Sequence, residues 1–384
     1  MTRGTFPISF LETISTPFYF YDGALLTRTL STLLHEVERY DNCHVHYAVK
    51  ANTHPEVLRR IAARGLGADC VSGGEIQAAV DAGFPADKIV YAGVGKTDNE
   101  INMALDYDIA CFNVESIPEL EVIEQLAALK NRIARVAFRI NPNVGAHTHA
   151  NITTGQRENK FGIDMEDMVS IIQLAQQMPH IDWSGLHFHI GSQILDMSDF
   201  AALCERINEL QDQLETVGLQ PRHINVGGGL GIDYDDPNGH PIPDFEAYFA
   251  TYGRYLKRRP GQQLHFELGR AVVAQCGSLI SRVTYVKRGH YKQFVILDAG
   301  MTDLIRPALY GAHHRIENLS STELEMTYDV VGPVCESSDV FDHDIQLPAT
   351  QRGDLIAIRS AGAYGEIMAS RYNCRAMPLG IVLG

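Results

Sequence analysis

Residues 44–65 read HVHYAVKANTHPEVLRRIAARG, a short β-rich run followed by a helical pattern with apolar residues at i, i+3 and i+4 spacing. This alternation recurs as far as residue 270. A (β/α)8 barrel needs eight such units in about 250 residues. The β-rich runs are eight: 44–51, 67–73, 88–94, 109–115, 135–142, 184–192, 223–229 and 264–270. They predict an α/β fold with a (β/α)8 TIM-like barrel, and a doubly wound sheet is the alternative that periodicity does not exclude.

The pattern changes after residue 270. Residues 278–300, SLISRVTYVKRGHYKQFVILDAG, alternate apolar and polar side chains and show little helical periodicity. This alternation predicts a C-terminal antiparallel β domain. Within the barrel region, the polar stretch 144–164 is long for a connection in a compact domain, and such loops tend to be functional or mobile.

The composition is that of an ordinary globular protein, with 45% hydrophobic and 21% charged residues. The formal charge of −15, without a basic block, argues against nucleic acid or an anionic membrane surface as a partner. No apolar run is long enough for a membrane span, and the N-terminus lacks the apolar core of a secretory signal. Seven scattered cysteines without a CxxC pair indicate reduced thiols, so we expect a cytoplasmic protein.

Lys50 follows the apolar run VHYAV, and the carboxyl end of a barrel strand is where active sites of this architecture lie. Partial burial would lower the pKa of its amine and favour attack on an aldehyde. A lysine that extends into solvent is the competing interpretation. His187 and His189 share one side of a predicted strand, but no carboxylate or cysteine stands at ligand spacing. We therefore expect packed or ring-stacking imidazoles and no metal.

The glycine run NVGGGLGI (225–232) comes directly after a predicted strand. Backbone amides in such a loop can approach a phosphate, although a tight turn without a ligand explains the glycines equally well. The run is not a dinucleotide fingerprint, because Ile232 occupies the sixth position counted from Gly227. AGVGKT (92–97) is not a P-loop either, because Val90 stands where the leading glycine is required.

Three further segments carry charged or reactive side chains: FELGR (266–270), RPALY (306–310) and PVCESSD (333–339). Taken singly, the first could be an ion pair at a strand end, and the other two could be surface loops. These three segments therefore indicate a function only in combination with the other motifs.

Together these motifs resemble the diaminopimelate decarboxylase family of fold-type III PLP-dependent decarboxylases. The segments that carry the resemblance occur in the family's order: YAVKAN, GLHFHIGSQI, NVGGGLGI, ELGR, DAGMTDLIRPALY, GPVCESSD and SAGAYGEIMASRYN. HIGSQ and GPVCESSD favour this family over the related ornithine and arginine enzymes. The resemblance implies an alanine-racemase-like barrel at 24–272, a β domain made of 1–23 and 273–384, and a homodimer with shared active sites.

The resemblance also implies roles for individual residues. Lys50 would bond to the aldehyde of pyridoxal 5'-phosphate (PLP), and His189 would stack on its ring. Glu267 would pair with the pyridine nitrogen and keep it protonated. Cys335, contributed by the partner subunit, would be the proton donor. The other cofactor contacts would be Asp69, Ser192, Gly227, Gly228, Gly229, Arg270 and Tyr364, and the substrate contacts would be Arg270, Arg306, Tyr310, Glu336 and Tyr364.

The implied reaction is the decarboxylation of meso-diaminopimelate to L-lysine. A forked guanidinium at Arg306 and a carboxylate at Glu336 would read the distal amino-acid head by opposite charges. Two alternatives stay open at this point. One is a decarboxylase of the same fold that acts on another basic amino acid or polyamine precursor, and the other is a non-catalytic regulator that has lost PLP.

Overall fold

The computed structural model describes residues 4–145 and 160–384. Most of the polar stretch 144–164 therefore lies outside the described residues. The chain divides into two compact units. We call one the sheet unit (Met1–Thr29, Ile232–Pro243 and Arg270–Gly384) and the other the barrel unit (Leu30–Gly231 and Asp244–Gly269).

After β1 (Phe18–Asp22), which belongs to the sheet unit, eight parallel strands form a closed barrel. They are β2 (Cys43–Ala48), β3 (Gly67–Cys70), β4 (Ile89–Tyr91), β5 (Cys111–Val114), β6 (Ala134–Arg139), β7 (Ile181–His187), β8 (His223–Asn225) and β9 (Gln263–Leu268). The barrel closes because β2 pairs with both β3 and β9. Each predicted β-rich run overlaps one of these strands. The barrel is therefore confirmed, and its closure excludes the doubly wound sheet.

Helices alternate with the barrel strands, and short polar caps fix where several of them begin. The helices are α1 (Ile8–Leu11), α2 (Gly23–Val37), α3 (Pro55–Ala62), α4 (Gly73–Asp81), α5 (Asp98–Tyr107), α6 (Ile117–Lys130), α7 (Met168–Ala175), α8 (Met197–Thr216), α9 (Phe245–Tyr255), α10 (Arg270–Val273) and α11 (Arg306–Tyr310). Thr97 and Glu100 form a capping box at the start of α5.

Lys96, in the AGVGKT segment, lies 2.5 Å from the Glu119 carboxylate in a buried ion pair. This segment therefore has a structural role, in agreement with the rejection of a P-loop.

An aromatic cluster packs α8 and α9 against β9. Phe200 on α8 meets Tyr248 on α9 edge to face, with ring centroids 5.0 Å apart. Phe249 on α9 meets Phe266 on β9 in the same way at 4.9 Å. All four rings are buried, and edge-to-face pairs contribute beyond the area they bury. The cluster thereby fixes the position of β9, the strand that carries Glu267.

The sheet unit contains β1 and seven later strands in one mixed sheet. These are β10 (Gly277–Arg288), β11 (Gln293–Leu297), β12 (Ile316–Asn318), β13 (Glu325–Val331), β14 (Val340–Pro348), β15 (Leu355–Ile358) and β16 (Leu379–Leu383). The order is β12-β15-β10-β11-β13-β14, and β1 pairs with β10 and β16. The separate β domain is confirmed, but β1 with β16 and β11 with β13 run parallel. Long crossovers separate the members of both pairs in sequence, and such connections permit parallel pairing.

All seven cysteines are free thiols. Cys70, Cys111, Cys204 and Cys276 are buried, as expected for small apolar side chains, whereas Cys335 and Cys374 are exposed. In the described parts of the chain, no helix combines the length and apolarity needed to cross a membrane.

Candidate active site

Lys50 lies in a short 3-10 turn, Val49–Ala51, directly after β2, rather than on the strand itself. Its Nζ is 3.4 Å from Oδ2 of Asp69, at the end of β3. The Lys50 side chain is 40% exposed, whereas that of Asp69 is 1% exposed. Burial and then the negative charge of Glu267 raise the pKa of Asp69 to about 6, although the nearby ammonium of Lys50 opposes this rise. The amine thus lies at the carboxyl end of the strands, where barrel active sites form.

Glu267, on β9, is a buried carboxylate with three hydrogen-bond donors. Its Oε1 accepts from the amides of Asn113 and Asn225, at 3.1 and 2.7 Å, and His187 Nε2 lies 3.0 Å from its Oε2. Burial alone would raise the pKa of Glu267, but His187 and then Lys50 outweigh burial and hold that pKa below its usual range. Glu267 is therefore an anion at neutral pH.

Three buried polar atoms close to this carboxylate have no hydrogen-bond partner among the residues that the structure describes: Asp69 Oδ1, Asn113 Oδ1 and His187 Nδ1. Each belongs to a residue at or near the carboxyl end of a barrel strand. Nearly all buried polar atoms in proteins are bonded, so this set indicates a place for a polar ligand. An aldehyde cofactor with a basic ring nitrogen fits the residues present, because an amine and a buried anion stand in the same barrel mouth.

The sequence predicted His187 and His189 on one strand, but β7 ends at His187 and His189 comes two residues later. Its Nδ1 accepts the amide N–H of Gly228 at 3.3 Å. Burial and then the positive charge of Arg139 hold its pKa well below the usual range, so the imidazole is neutral. A neutral imidazole beside the glycine loop is suited to stacking and is not a fixed cation.

The glycine loop after β8 lies against two neighbouring strands. A Cβ on Gly227, whose φ is +69°, would meet the Phe188 carbonyl at 2.3 Å, and one on Gly228 would meet the Glu267 carbonyl at 1.9 Å. Close backbone packing therefore already explains these two glycines. The Gly229 carbonyl accepts the amide of Ile194 at 2.9 Å, which brings the loop that carries Ser192 beside the glycine loop.

The sheet unit contains a second polar cluster, around Tyr234. Its hydroxyl oxygen lies 2.7 Å from Arg270 NH1 and 2.9 Å from Arg306 NH1. Arg270 opens α10 and Arg306 opens α11, and both residues are buried. His314 Nε2 is a further partner of Arg306 NH1, at 3.0 Å. The structure thus brings together two predicted carboxylate-binding arginines on one phenol that the sequence did not indicate.

Tyr364 and Tyr310 belong to the same polar cluster around Tyr234. The Arg270 guanidinium carbon lies 5.0 Å from the centre of the Tyr364 ring, over its face. Tyr364 has φ of +56°, a left-handed conformation that is uncommon for a tyrosine and often marks a functional position. Burial lowers the pKa of Arg270, but Tyr234, Tyr364 and Tyr310 together raise it above the usual value. Arg270 is therefore a permanent cation at this site.

Cys335 and Glu336 lie in an exposed loop of the sheet unit, between β13 and β14. The Tyr372 hydroxyl donates to the Glu336 carboxylate at 2.6 Å. Asp339 shapes the loop, because its two carboxylate oxygens each accept one backbone amide at 2.6 Å, from Met301 and Val334. Asp339 is the last residue of the GPVCESSD motif, and its structural role is not evident from the sequence.

No metal-binding group of three or more histidine, cysteine or acidic side chains occurs within residues 4–145 and 160–384. His187, one of the two histidines considered for such a site, bonds to Glu267 instead.

Comparison with known proteins places this geometry in a family. The profile described as "Pyridoxal-dependent decarboxylase, pyridoxal binding domain" matches residues 26–274. The diaminopimelate decarboxylase of Bacteroides thetaiotaomicron is 66% identical over 98% of both chains, and that of Neisseria meningitidis is 42% identical over 95% of this chain and 87% of its own. The crystal structure of the Helicobacter pylori enzyme complexed with L-lysine is 39% identical, covers 98% of this chain and 94% of its own, and has a TM-score of 0.92. This chain belongs to the pyridoxal-dependent decarboxylases and, within them, to the diaminopimelate decarboxylase family.

Proposed function

We propose that this chain uses PLP to decarboxylate meso-2,6-diaminopimelate to L-lysine and CO2, the last step of lysine biosynthesis. The observation that carries the proposal is the buried anion Glu267 in the same barrel mouth as the amine of Lys50. Loss of CO2 leaves an electron pair on Cα that is prohibitively unstable in water. Bound PLP delocalises that electron pair into its protonated ring.

Lys50 is the residue that would hold the cofactor covalently, through its Nζ. Glu267 would accept a hydrogen bond from the ring nitrogen and keep that nitrogen protonated, since its own pKa is held low by His187 and Lys50. His189 would lie against the ring. Phosphate would be bound by Ser192, Gly227, Gly228 and Gly229, with further cofactor contacts from Asp69, Arg270 and Tyr364.

The distal carboxylate of the substrate, which is retained in the product, would be bound by the buried arginines Arg270 and Arg306. Tyr310 and Tyr364 would lie beside them. A planar guanidinium presents two parallel N–H groups to a carboxylate, which gives orientation as well as affinity. Glu336 would receive the distal ammonium. This requires the Tyr372 hydroxyl, which now donates to Glu336, to share or release that carboxylate.

Cys335 would return a proton to Cα after CO2 has left. A thiol is a weak acid whose proton can be given up and regained in general acid–base catalysis. Cys335 and Glu336 are both exposed on this chain, which supports their use by a partner subunit. We therefore propose a homodimer in which Cys335 of the partner subunit completes each active site. The free thiols support our proposal of a cytoplasmic location.

The domain division follows from the same proposal. Residues 24–272 would form the PLP-binding barrel, and residues 1–23 with 273–384 would form the β domain that completes the active site. The compact units differ from this division at residues 24–29, 232–243 and 270–272, which belong to the sheet unit. The family profile ends at residue 274, close to the second of these boundaries.

Product analysis tests the function against the two alternatives. The PLP-loaded protein is incubated separately with meso-diaminopimelate, L-lysine and L-ornithine, and the amines formed are measured by chromatography. We expect L-lysine from the first substrate and only traces of diamines from the other two. A dominant diamine product would instead identify a polyamine-type decarboxylase, and no product together with no cofactor absorbance would identify a regulator.

A further inference from the structure

Tyr234 stands two residues after the glycine run and is not among the residues assigned to the proposed reaction. Its hydroxyl oxygen accepts one N–H from Arg270 NH1 at 2.7 Å and one from Arg306 NH1 at 2.9 Å. The guanidinium carbon of Arg306 also lies 5.2 Å from the centre of the Tyr234 ring. One phenol therefore contacts both arginines that we assign to the substrate carboxylate.

His314 provides a second, neutral anchor on Arg306. Its Nδ1 lies 2.9 Å from the Arg359 carbonyl, which can only accept, so Nδ1 carries the proton and Nε2 accepts from Arg306 NH1 at 3.0 Å. Burial and then the positive charge of Arg306 lower the pKa of His314 to about 3, so the ring stays neutral at neutral pH. The His314 ring also meets the Tyr234 ring edge to face at 5.1 Å.

Within the described part of the chain, the Arg306 guanidinium forms hydrogen bonds with Tyr234 and His314, and both use the same nitrogen, NH1. Anchoring NH1 at two points fixes the rotation of the planar guanidinium. Its remaining N–H groups can then pair with a carboxylate. A phenol oxygen has two lone pairs, so Tyr234 can accept from both arginines at once. Removing the Tyr234 hydroxyl would take one hydrogen-bond acceptor from each of the buried cations Arg270 and Arg306. Loss of an acceptor from a buried charged donor is energetically costly.

We propose that Tyr234 is a positioning residue for the substrate carboxylate, whose hydroxyl holds Arg270 and Arg306 as one fixed pair, with His314 as the second anchor of Arg306. This inference rests on the proposed function, in which the two arginines bind that carboxylate. It adds a specificity determinant that acts through the arginines and needs no contact with the substrate.

Two ligands that differ by one carboxylate test the inference. L-lysine, the proposed product, retains the distal carboxylate of the substrate, and 1,5-diaminopentane is L-lysine without it. Their dissociation constants for the PLP-loaded protein are measured by titration calorimetry. Tyr234→Phe should weaken L-lysine binding about tenfold, which corresponds to about 1.4 kcal/mol. The dissociation constant of 1,5-diaminopentane should change less than about twofold, because this ligand has no carboxylate to position.

Tyr328→Phe is the matched control, since this buried tyrosine of the same unit bonds through its hydroxyl to Met326 and Thr350 instead. It should change neither dissociation constant. Equal weakening of both ligands by Tyr234→Phe would assign Tyr234 a merely structural role, and unchanged L-lysine binding would also overturn the inference. Turnover of meso-diaminopimelate by the unmutated protein is measured in parallel. Its absence would refute the proposed function, whereas its presence with either contrary binding result would refute only the role of Tyr234.

Discussion

Glu267 Oε2 lies 3.0 Å from His187 Nε2, and both side chains are buried inside the barrel. Asn113 and Asn225 donate to the other carboxylate oxygen. A buried carboxylate normally gains a proton because burial destabilises its charge. Here His187 and then the charge of Lys50 hold the pKa of Glu267 down, so the barrel carries a preorganised anion before any ligand binds. That anion is the feature a protonated pyridine nitrogen requires.

Lys50→Ala should abolish both turnover and the visible absorbance of the bound cofactor while leaving the protein folded. The side chain is partly exposed and lies in a turn after β2, so its removal leaves the barrel core intact. Absorbance, circular dichroism and lysine release are measured on one preparation. Lys88→Ala, which removes an exposed lysine bonded to the Gly65 carbonyl, is the control and should retain all three signals. Near-normal activity of Lys50→Ala would disprove the covalent role.

Arg306→Lys should lower kcat/KM for meso-diaminopimelate by an amount equivalent to roughly 2–5 kcal/mol. An ammonium keeps the charge but cannot make the planar, two-point contact with a carboxylate, and it also loses the anchoring geometry at Tyr234 and His314. Arg352→Lys, a change at an arginine stacked over Tyr285, is the control and should leave kcat/KM within about twofold. An unchanged kcat/KM in Arg306→Lys would mean that the carboxylate is bound elsewhere.

A mixing experiment tests whether active sites are shared between subunits. Lys50→Ala and Cys335→Ala should each be nearly inactive as homodimers. In a mixed dimer, one site would have both residues intact and the other would have neither. Equal amounts with random exchange give about half mixed dimers, each with one working site, so activity should recover to roughly a quarter of the unmutated level.

The control for this experiment is native mass spectrometry, which must first detect the mixed dimers. If mixed dimers form and the activity remains at the level of the two parents, Lys50 and Cys335 act within one chain or Cys335 is not the donor.

A cluster of buried histidines in the barrel predicts loss of stability at acid pH. His46 Nε2 lies 2.8 Å from His265 Nδ1, and the His223 ring centre is 4.8 Å from that of His265. Burial is the main cause that lowers the pKa of His46 to about 4 and that of His223 to about 3. Their pKa in the unfolded chain is about 6.5, so the unfolded chain binds more protons between these values. Stability present above pH 6.5 is therefore lost as the pH falls, by up to about 1.4 kcal/mol per pH unit for each histidine.

This pH dependence can be measured as the midpoint of urea unfolding at pH 7 and pH 5. His223→Gln should reduce the difference between the two midpoints, whereas His35→Gln, at a histidine with a 78% exposed side chain, should not. An equal difference in all three proteins would exclude His223 as a source of the acid sensitivity.

Most of the fold could be predicted from the sequence, because strand and helix patterns are local. Closure of the barrel could not, since periodicity describes each element and not the pairing of β2 with β9. Lys50 and Glu267 could be selected because each comes near the carboxyl end of a β-rich run. The resemblance to a known family, rather than spacing alone, gave them roles.

The sequence does not reveal the hydrogen-bond partners of Glu267 and Arg306, because those partners come from distant parts of the chain. Asn113 reaches Glu267 only when β5 and β9 share one barrel, and Tyr234 reaches Arg306 across 72 positions of sequence. Weak signals existed. Asn113 is the single amide in the apolar run IACFNVE, and Tyr234 stands two residues after the glycine run, where a polar aromatic ring has no packing explanation in the sequence.

Decarboxylation in heavy water tests the central claim most directly. The PLP-loaded protein is supplied with meso-diaminopimelate in D2O, and CO2 and L-lysine are quantified together by mass spectrometry and NMR. The carbon that loses CO2 must receive its proton from a group in exchange with solvent, whereas the distal centre takes no part in the reaction. We predict equal amounts of CO2 and L-lysine, with one deuterium on C6 and none on C2. Deuterium at C2, 1,5-diaminopentane as the main product, or CO2 release without L-lysine would contradict the account.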